Sequence, residues 1–177
     1  MGIVACVLAG GLSQRMGQDK SAMFGGVARL QGVLHDAGIE RTVVLCGSQE
    51  RTSMFDGEVL ADPEGVEGLH ELIPWIRSTV QGDLLLIPCD AFLLNKEAVR
   101  VLLQSAPAGG VPMDSTGQRQ PLFAFLPSES PALDVATSVR ELLQHLPSID
   151  VGEHAFAYSN FNTQDEVDAH QRSLLGL

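Results

Sequence analysis

Strands that alternate with helices along the chain predict an α/β fold: a three-layer sandwich around a mainly parallel sheet. Three observations predict it. A near-continuous apolar run, Ile3 to Leu8, ends at Gly10-Gly11, as a buried parallel strand feeding a loop does. Helical spacing follows it, with Val27, Leu30, Val33, Leu34 and Ala37 on one face and Gly38 placed to stop the helix. A second apolar run, Leu84-Leu85-Leu86-Ile87, has the character of a central strand and leads straight into Pro88-Cys89-Asp90.

The remaining elements fit the same alternation. Thr42 to Leu45 reads as a second buried strand, and a third short one ends near Leu60, before Asp62-Pro63. Leu69 to Val80 has helical character, with Pro74 expected in its first turn or else at a bend. Lys96 to Gln104 predicts another helix, Leu122 to Leu126 a further strand, and Leu133, Ala136, Val139, Leu143 and Leu146 a long amphipathic helix. The last unit is Ala155 to Tyr158, a loop Asn160-Phe161-Asn162, and a helix opened by Thr163-Gln164-Asp165-Glu166, which fits a capping box. No internal repeat or low-complexity stretch interrupts the pattern.

The length of 177 residues predicts one domain, read as two halves at about 1–92 and about 93–177. Hydrophobic residues make up 45% of the chain, yet no run approaches the roughly 18 apolar residues of a membrane span. The N-terminus lacks a basic flank and meets Gly10-Gly11 too early for a signal peptide, so a cytoplasmic location is expected. Cys6, Cys46 and Cys89 show no CxxC spacing and read as free thiols. Eleven basic against twenty-two acidic residues leave a net charge of -11, which disfavours nucleic-acid and anionic-membrane partners. A phosphate site in such a chain needs local cations and help from a metal.

Leu8-Ala9-Gly10-Gly11-Leu12-Ser13-Gln14-Arg15-Met16-Gly17-Gln18-Asp19-Lys20 supplies such cations. Adjacent glycines after a buried strand permit close backbone approach, so N–H groups can point at an anion, and Arg15 and Lys20 add charge. A Walker loop is excluded because Gln18 and Asp19 separate Gly17 from Lys20, and the dinucleotide GxGxxG pattern is absent. The competing reading is a Gly-rich turn with two solvated cations. Asp90, after a strand, reads alone as a turn or capping residue. In a phosphate crevice, however, its hard oxygen suits Mg²⁺, which takes one or two protein carboxylates and completes its shell with phosphate oxygens and water. Asp62, before Pro63, can likewise open a turn.

Leu8-Ala9-Gly10-Gly11 with Arg15-Met16-Gly17 and Asp19-Lys20 resembles the signature of nucleotidyltransferases that act on nucleoside triphosphates, closest to the molybdenum cofactor guanylyltransferases. Pro88-Cys89-Asp90, Gln120-Pro121-Leu122-Phe123-Ala124 and Asn160-Phe161-Asn162-Thr163 extend the likeness over nearly the whole chain. The resemblance implies a Rossmann-like nucleotidyltransferase fold and transfer of GMP from GTP to molybdopterin, with Mg²⁺ as cofactor. It further implies that Leu8, Ala9, Gly10 and Gly11 meet the nucleotide and that Arg15 and Lys20 hold the triphosphate. Cys46 and Asp62 would help place the nucleotide, Asp90 would ligate the metal, and Pro121, Asn160 and Asn162 would face the acceptor. Transient contact with cofactor-biosynthesis proteins or molybdoenzymes follows from the same likeness. Asn160 and Asn162 can equally be loop residues that bond their own backbone.

The chain departs from the family pattern in four places. Cys46-Gly47-Ser48 stands where an asparagine is common near the base, and a thiol is a weak hydrogen-bonding group. Guanine recognition would then rest on backbone groups or Ser48. Ala28-Arg29 replaces a Lys-Pro pair after the phosphate loop. Gly65-Val66-Glu67-Gly68-Leu69-His70 stands in for a Gly-Pro-Leu-Ala-Gly run, and there His70 reads as a surface or capping histidine rather than a catalyst. The chain is also somewhat short, with lean connections before residue 120. A cytidylyltransferase or another cofactor nucleotidyltransferase is the alternative within the class. A nucleotide-binding regulator without turnover is the alternative outside it.

Overall fold

The computed structural model describes residues 2–10 and 26–159. In chain order these form β1 (Ile3–Leu8), α1 (Gly26–Asp36), β2 (Arg41–Leu45), β3 (Glu58–Leu60), α2 (Leu69–Thr79), β4 (Asp83–Pro88), α3 (Lys96–Ser105), β5 (Val111–Pro112), β6 (Phe125–Leu126), α4 (Val139–Leu142) and β7 (Ser148–Ile149). Three 3-10 helices, Gln49–Met54, Pro121–Phe123 and Gly152–Tyr158, join them. The main sheet runs β3-β2-β1-β4-β6. Its first four strands are mutually parallel, and β6 is antiparallel to β4.

Alternation along the strands builds the layers, because successive side chains leave opposite faces of a sheet. Ala5, Val7, Val44, Leu85 and Ile87 pack on one face with Val27, Leu30 and Leu34 of α1 and Ala98, Val99 and Leu102 of α3. Val4, Cys6, Val43, Leu45, Leu84 and Leu86 pack on the other with Leu72, Ile73 and Ile76 of α2 and Leu142 of α4. Tyr158 closes the first core: it is buried, donates its hydroxyl to the Ala98 carbonyl at 2.7 Å, and meets Phe123 edge-on at 5.2 Å. Gly38, at φ +99°, ends α1 as expected, its N–H donating to the His35 carbonyl.

Several elements differ from the sequence expectation. Pro74 is not in the first turn of α2 but in its interior, the position for which a bend is the alternative expectation. A helix-interior proline costs about 3 kcal/mol, and burial of Leu72, Ile73 and Ile76 at roughly 1.5–3 kcal/mol each outweighs it. The strand foreseen over Leu122–Leu126 shrinks to β6, because Pro121 opens a 3-10 turn in which Phe123 and Ala124 donate to Gln120 and Pro121. The long helix foreseen from Leu133 shrinks to α4, capped by Ser138. Leu133 and Ala136 still pack on the core without a helix to carry them. In place of helical bonds, Arg77 gathers the carbonyls of Pro131 and Ser130 ahead of α4. Ala155–Tyr158 fall within a 3-10 helix, and the loop and helix foreseen beyond them lie outside the described residues. The parallel pair β5-β7 had no sequence signal, being only two residues per strand.

Candidate active site

The strand order places the crevice. The chain winds outward from β1 through β2 to β3 and then returns to the other side of β1 at β4, so the winding reverses between β1 and β4. In open parallel sheets, ligands lodge beyond the carboxyl ends of the strands at such a reversal. Four segments meet along that rim: Leu8-Ala9-Gly10 after β1, Cys46-Gly47-Ser48 after β2, Asp62 after β3 and Cys89-Asp90 after β4. Backbone bonds fasten them in sequence. Ala9 N–H donates to the Leu45 carbonyl at 2.8 Å, Cys46 N–H to Leu60 at 2.9 Å, Asp62 N–H to Gly47 at 2.7 Å, and Cys89 N–H to Leu8 at 3.2 Å.

Glycine is required where β1 and β2 end. Gly47 has φ +83°, and a β-carbon built on Gly10 would sit 2.9 Å from the Gly47 Cα and 3.4 Å from Asp62 Oδ2. Asp62 Oδ1 is buried with no hydrogen-bond partner among the described residues. Burial raises the Asp62 pKa, opposed by the Gly47 N–H. A buried carboxylate oxygen without a partner among the described residues, on a side chain that borders the Gly10 backbone, is suited to a donor brought by a ligand.

Cys46 is fully buried, its pKa is raised by burial, and its thiol donates to the Ser48 carbonyl at 3.4 Å. Arg51, on the 3-10 helix after β2, reaches back to donate from Nη2 to the Ala9 carbonyl at 3.0 Å and stacks over Phe55 at 5.9 Å. Both backbone groups of Ala9 are thus engaged by the β2 side of the rim.

Asp90 is half-buried in the turn after β4, where Ala91 N–H donates to Pro88 and Phe92 N–H to the Asp90 carbonyl. Among the described residues no group of three or more His, Cys, Asp or Glu side chains could hold a metal ion. Strand-end carboxylates such as Asp90, set among the described residues without a cluster of further ligands, suit Mg²⁺ shared with phosphates, which takes one or two protein carboxylates.

The structure brings Leu8, Ala9, Gly10, Cys46, Asp62 and Asp90 to one rim. Pro121 is placed apart, half-buried at the start of a 3-10 helix beside the sheet's β6 edge. Gly11, Arg15, Lys20, Asn160 and Asn162 lie outside the described residues. Arg119 is committed to structure, donating to the carbonyls of Leu143 and Leu146 and to Ser148 Oγ at 2.9 Å each. Two rim residues had no role in the sequence reading, Gly47 and Arg51. A glycine directly after a strand, opposite another strand-end glycine, is the signal for the first. For the second, the only hint is a scarce cation in an acidic chain.

An α/β sheet with close-packed glycines and carboxylates along its carboxyl rim has the architecture of a ligand-binding α/β domain. The chain belongs to the MobA-like NTP transferase domain family, whose sequence model matches residues 5–155. It is 31% identical over 145 residues to the molybdenum cofactor guanylyltransferase of Pseudomonas aeruginosa, covering 69% of this chain and 67% of that protein. It is 28% identical over 128 residues to the probable molybdenum cofactor guanylyltransferase of Pelotomaculum thermopropionicum, covering 67% of this chain but only 60% of that one. Among solved structures, it resembles molybdopterin-guanine dinucleotide biosynthesis protein A of Archaeoglobus fulgidus, with TM-score 0.72, 18% identity, and 98% and 100% of the two chains covered. It also resembles 4-diphosphocytidyl-2C-methyl-D-erythritol synthase of Anaerococcus prevotii, with TM-score 0.61, 10% identity, and 98% of each chain covered. At those identities the likeness shows the fold, which proteins named for a guanine and a cytidyl product share. No described helix is long and apolar enough to cross a membrane.

Proposed function

We propose that this chain transfers GMP from GTP to the phosphate of molybdopterin, releasing pyrophosphate and forming molybdopterin guanine dinucleotide in the cytoplasm. The observation that carries the reading is the gathering of Ala9-Gly10, Gly47, Asp62 and Asp90 on one rim at the winding reversal, in a chain whose curated relatives are named for guanylyl transfer. In this reading Leu8, Ala9, Gly10 and Gly11 seat the nucleotide, and Asp62 Oδ1 accepts a hydrogen bond from it. Arg15 and Lys20 hold the triphosphate and offset the charge that grows on the leaving pyrophosphate. Asp90 would hold Mg²⁺, which would supply neutralisation of phosphate charge. Pro121, Asn160 and Asn162 serve the acceptor.

A general base is unnecessary. The second pKa of a phosphate monoester is about 6, so the attacking phosphate is already mostly dianionic at pH 7. The protein's task reduces to alignment and charge balance.

The test is incubation with labelled nucleoside triphosphates, Mg²⁺ and purified molybdopterin, followed by identification of the product. A guanine dinucleotide and pyrophosphate are expected. Preferred transfer of CMP moves the chain to the cytidylyl alternative. Tight nucleotide binding with no transfer to any acceptor makes it a binding protein.

A further inference from the structure

Arg29 lies in the first turn of α1, half-buried, and reaches across to the turn that follows β4. Its Nη2 donates to the Ala91 carbonyl at 2.6 Å and its Nη1 to the Leu94 carbonyl at 2.9 Å. Ala91 O also accepts the Leu94 N–H at 3.2 Å. One guanidinium fork thus closes a short loop whose first residue is the neighbour of Asp90. On the other side of Asp90, Cys89 N–H is bonded to Leu8 at the end of β1. Asp90 is therefore suspended between two anchors, one on the central strand and one on α1.

Packing alone does not call for an arginine here. Taking a guanidinium partly out of water is costly unless its donors are met, and an aliphatic side chain would fill the space without that cost. What an aliphatic residue cannot do is hold two carbonyls three residues apart in fixed register, which a planar, two-pronged donor does. The helix that carries Arg29 begins at Gly26, directly after the segment containing Arg15 and Lys20. The fork therefore joins the first turn of α1 to the turn bearing Asp90.

We propose that Arg29 is a positioning residue for Asp90, setting the direction in which this carboxylate meets a divalent cation. The inference rests on the reading of Asp90 as the metal ligand.

The test uses Mn²⁺ as the probe metal, titrated into the full chain with GTP and followed by electron paramagnetic resonance, for wild type, Arg29→Ala, Arg29→Lys, Asp90→Ala and Arg77→Ala. Arg77 is a control that also gathers loop carbonyls, but ahead of α4. Partners that orient a metal ligand typically contribute 10–100-fold to affinity. Arg29→Ala is thus expected to weaken Mn²⁺ binding about tenfold, and Arg29→Lys, which retains one donor group but not the fork, to weaken it less. Arg77→Ala is expected to lower the melting temperature and leave Mn²⁺ affinity within twofold. If Arg29→Ala does not fold, Arg29→Lys decides. Folded Arg29 variants that bind Mn²⁺ like the wild type, or an equal loss in Arg77→Ala, overturn the positioning role alone. Unchanged Mn²⁺ binding by Asp90→Ala overturns the metal reading and the inference with it.

Discussion

Gly10 and Gly47 meet backbone to backbone, so closely that a β-carbon on either would lie 2.9 Å from the Cα of the other. This contact joins the ends of β1 and β2 and leaves the floor of the rim bare beside Asp62. Gly47→Ala combines that clash with φ +83°, and Gly10→Ala has the clash without the positive φ. Both are expected to lose stability, Gly47→Ala by more than about 2 kcal/mol, and to lose nucleotide binding. Gly65→Ala is the control, since Gly65 has φ +82° but nothing within 4 Å of its β-carbon position. Urea unfolding of the three variants checks the ranking; a Gly47→Ala no costlier than Gly65→Ala would remove the case for a required close approach.

The burial of Asp62 sets its proposed role against stability. Burial lifts its pKa above the ordinary aspartate value of about 3.9. A raised folded-state pKa means that the carboxyl's contribution is fully present below the unfolded value and is lost as pH rises through the folded one. At neutral pH the ionised group is a net cost. Asp62→Asn is therefore expected to melt no lower than wild type at pH 7, with any advantage disappearing below about pH 4, while GTP affinity falls at least about tenfold. Thermal melts across pH with parallel binding assays check both halves, and a variant that melts clearly lower at pH 7 contradicts the first.

Asp90→Ala is expected to abolish transfer while leaving the melting temperature near that of wild type, because the side chain is half-exposed at a strand end and outside both cores. Lys20→Ala and Arg15→Ala should each weaken triphosphate binding in this chain of net charge -11. Wild-type binding and turnover in both would reduce the glycine segment to a structural turn.

Thiol chemistry should separate the three cysteines. Burial pushes the Cys6 pKa up to about 12 and raises that of Cys46, whereas Cys89 is half-exposed next to Asp90. A maleimide is expected to modify Cys89 first, to block transfer when it does, and to be slowed by GTP with Mg²⁺. Mass spectrometry of the labelled peptides decides; faster labelling of Cys46 would mean that the β2 end of the rim opens.

Base choice tests the guanylyl assignment. GTP is expected to be preferred over CTP and ATP, and Cys46→Ala should change the GTP:CTP ratio by less than about tenfold, or 1.4 kcal/mol. The buried thiol already donates to Ser48, and the Ala9 N–H already donates to Leu45, so neither is free to read the base edge. Competition binding with the two triphosphates checks it, and a wild-type preference for CTP would end the guanylyl assignment.

Much of this architecture was legible from residue pattern alone. Ile3–Leu8 and Leu84–Ile87 could be read as interior strands because both of their faces are buried, and α1 because its apolar period and Gly38 agree. The same logic failed at Leu133–Leu146, where an apolar period of helical spacing is met by a capped four-residue α4 and an irregular approach to it. Periodicity records which residues are buried, and only the surrounding core decides whether a helix buries them. Asp62 and Asp90 were visible as strand-end carboxylates, and the gathering of their strands was foreseen from the α/β pattern. Other relations belong to tertiary structure: the Gly10–Gly47 contact, the reach of Arg51 to Ala9, and the fork of Arg29 on Ala91 and Leu94. Each joins positions at least 37 residues apart through backbone carbonyls or bare Cα atoms. Backbone groups are the same at every residue, so such contacts leave no mark in the sequence, and only the packing of the strands brings them into register.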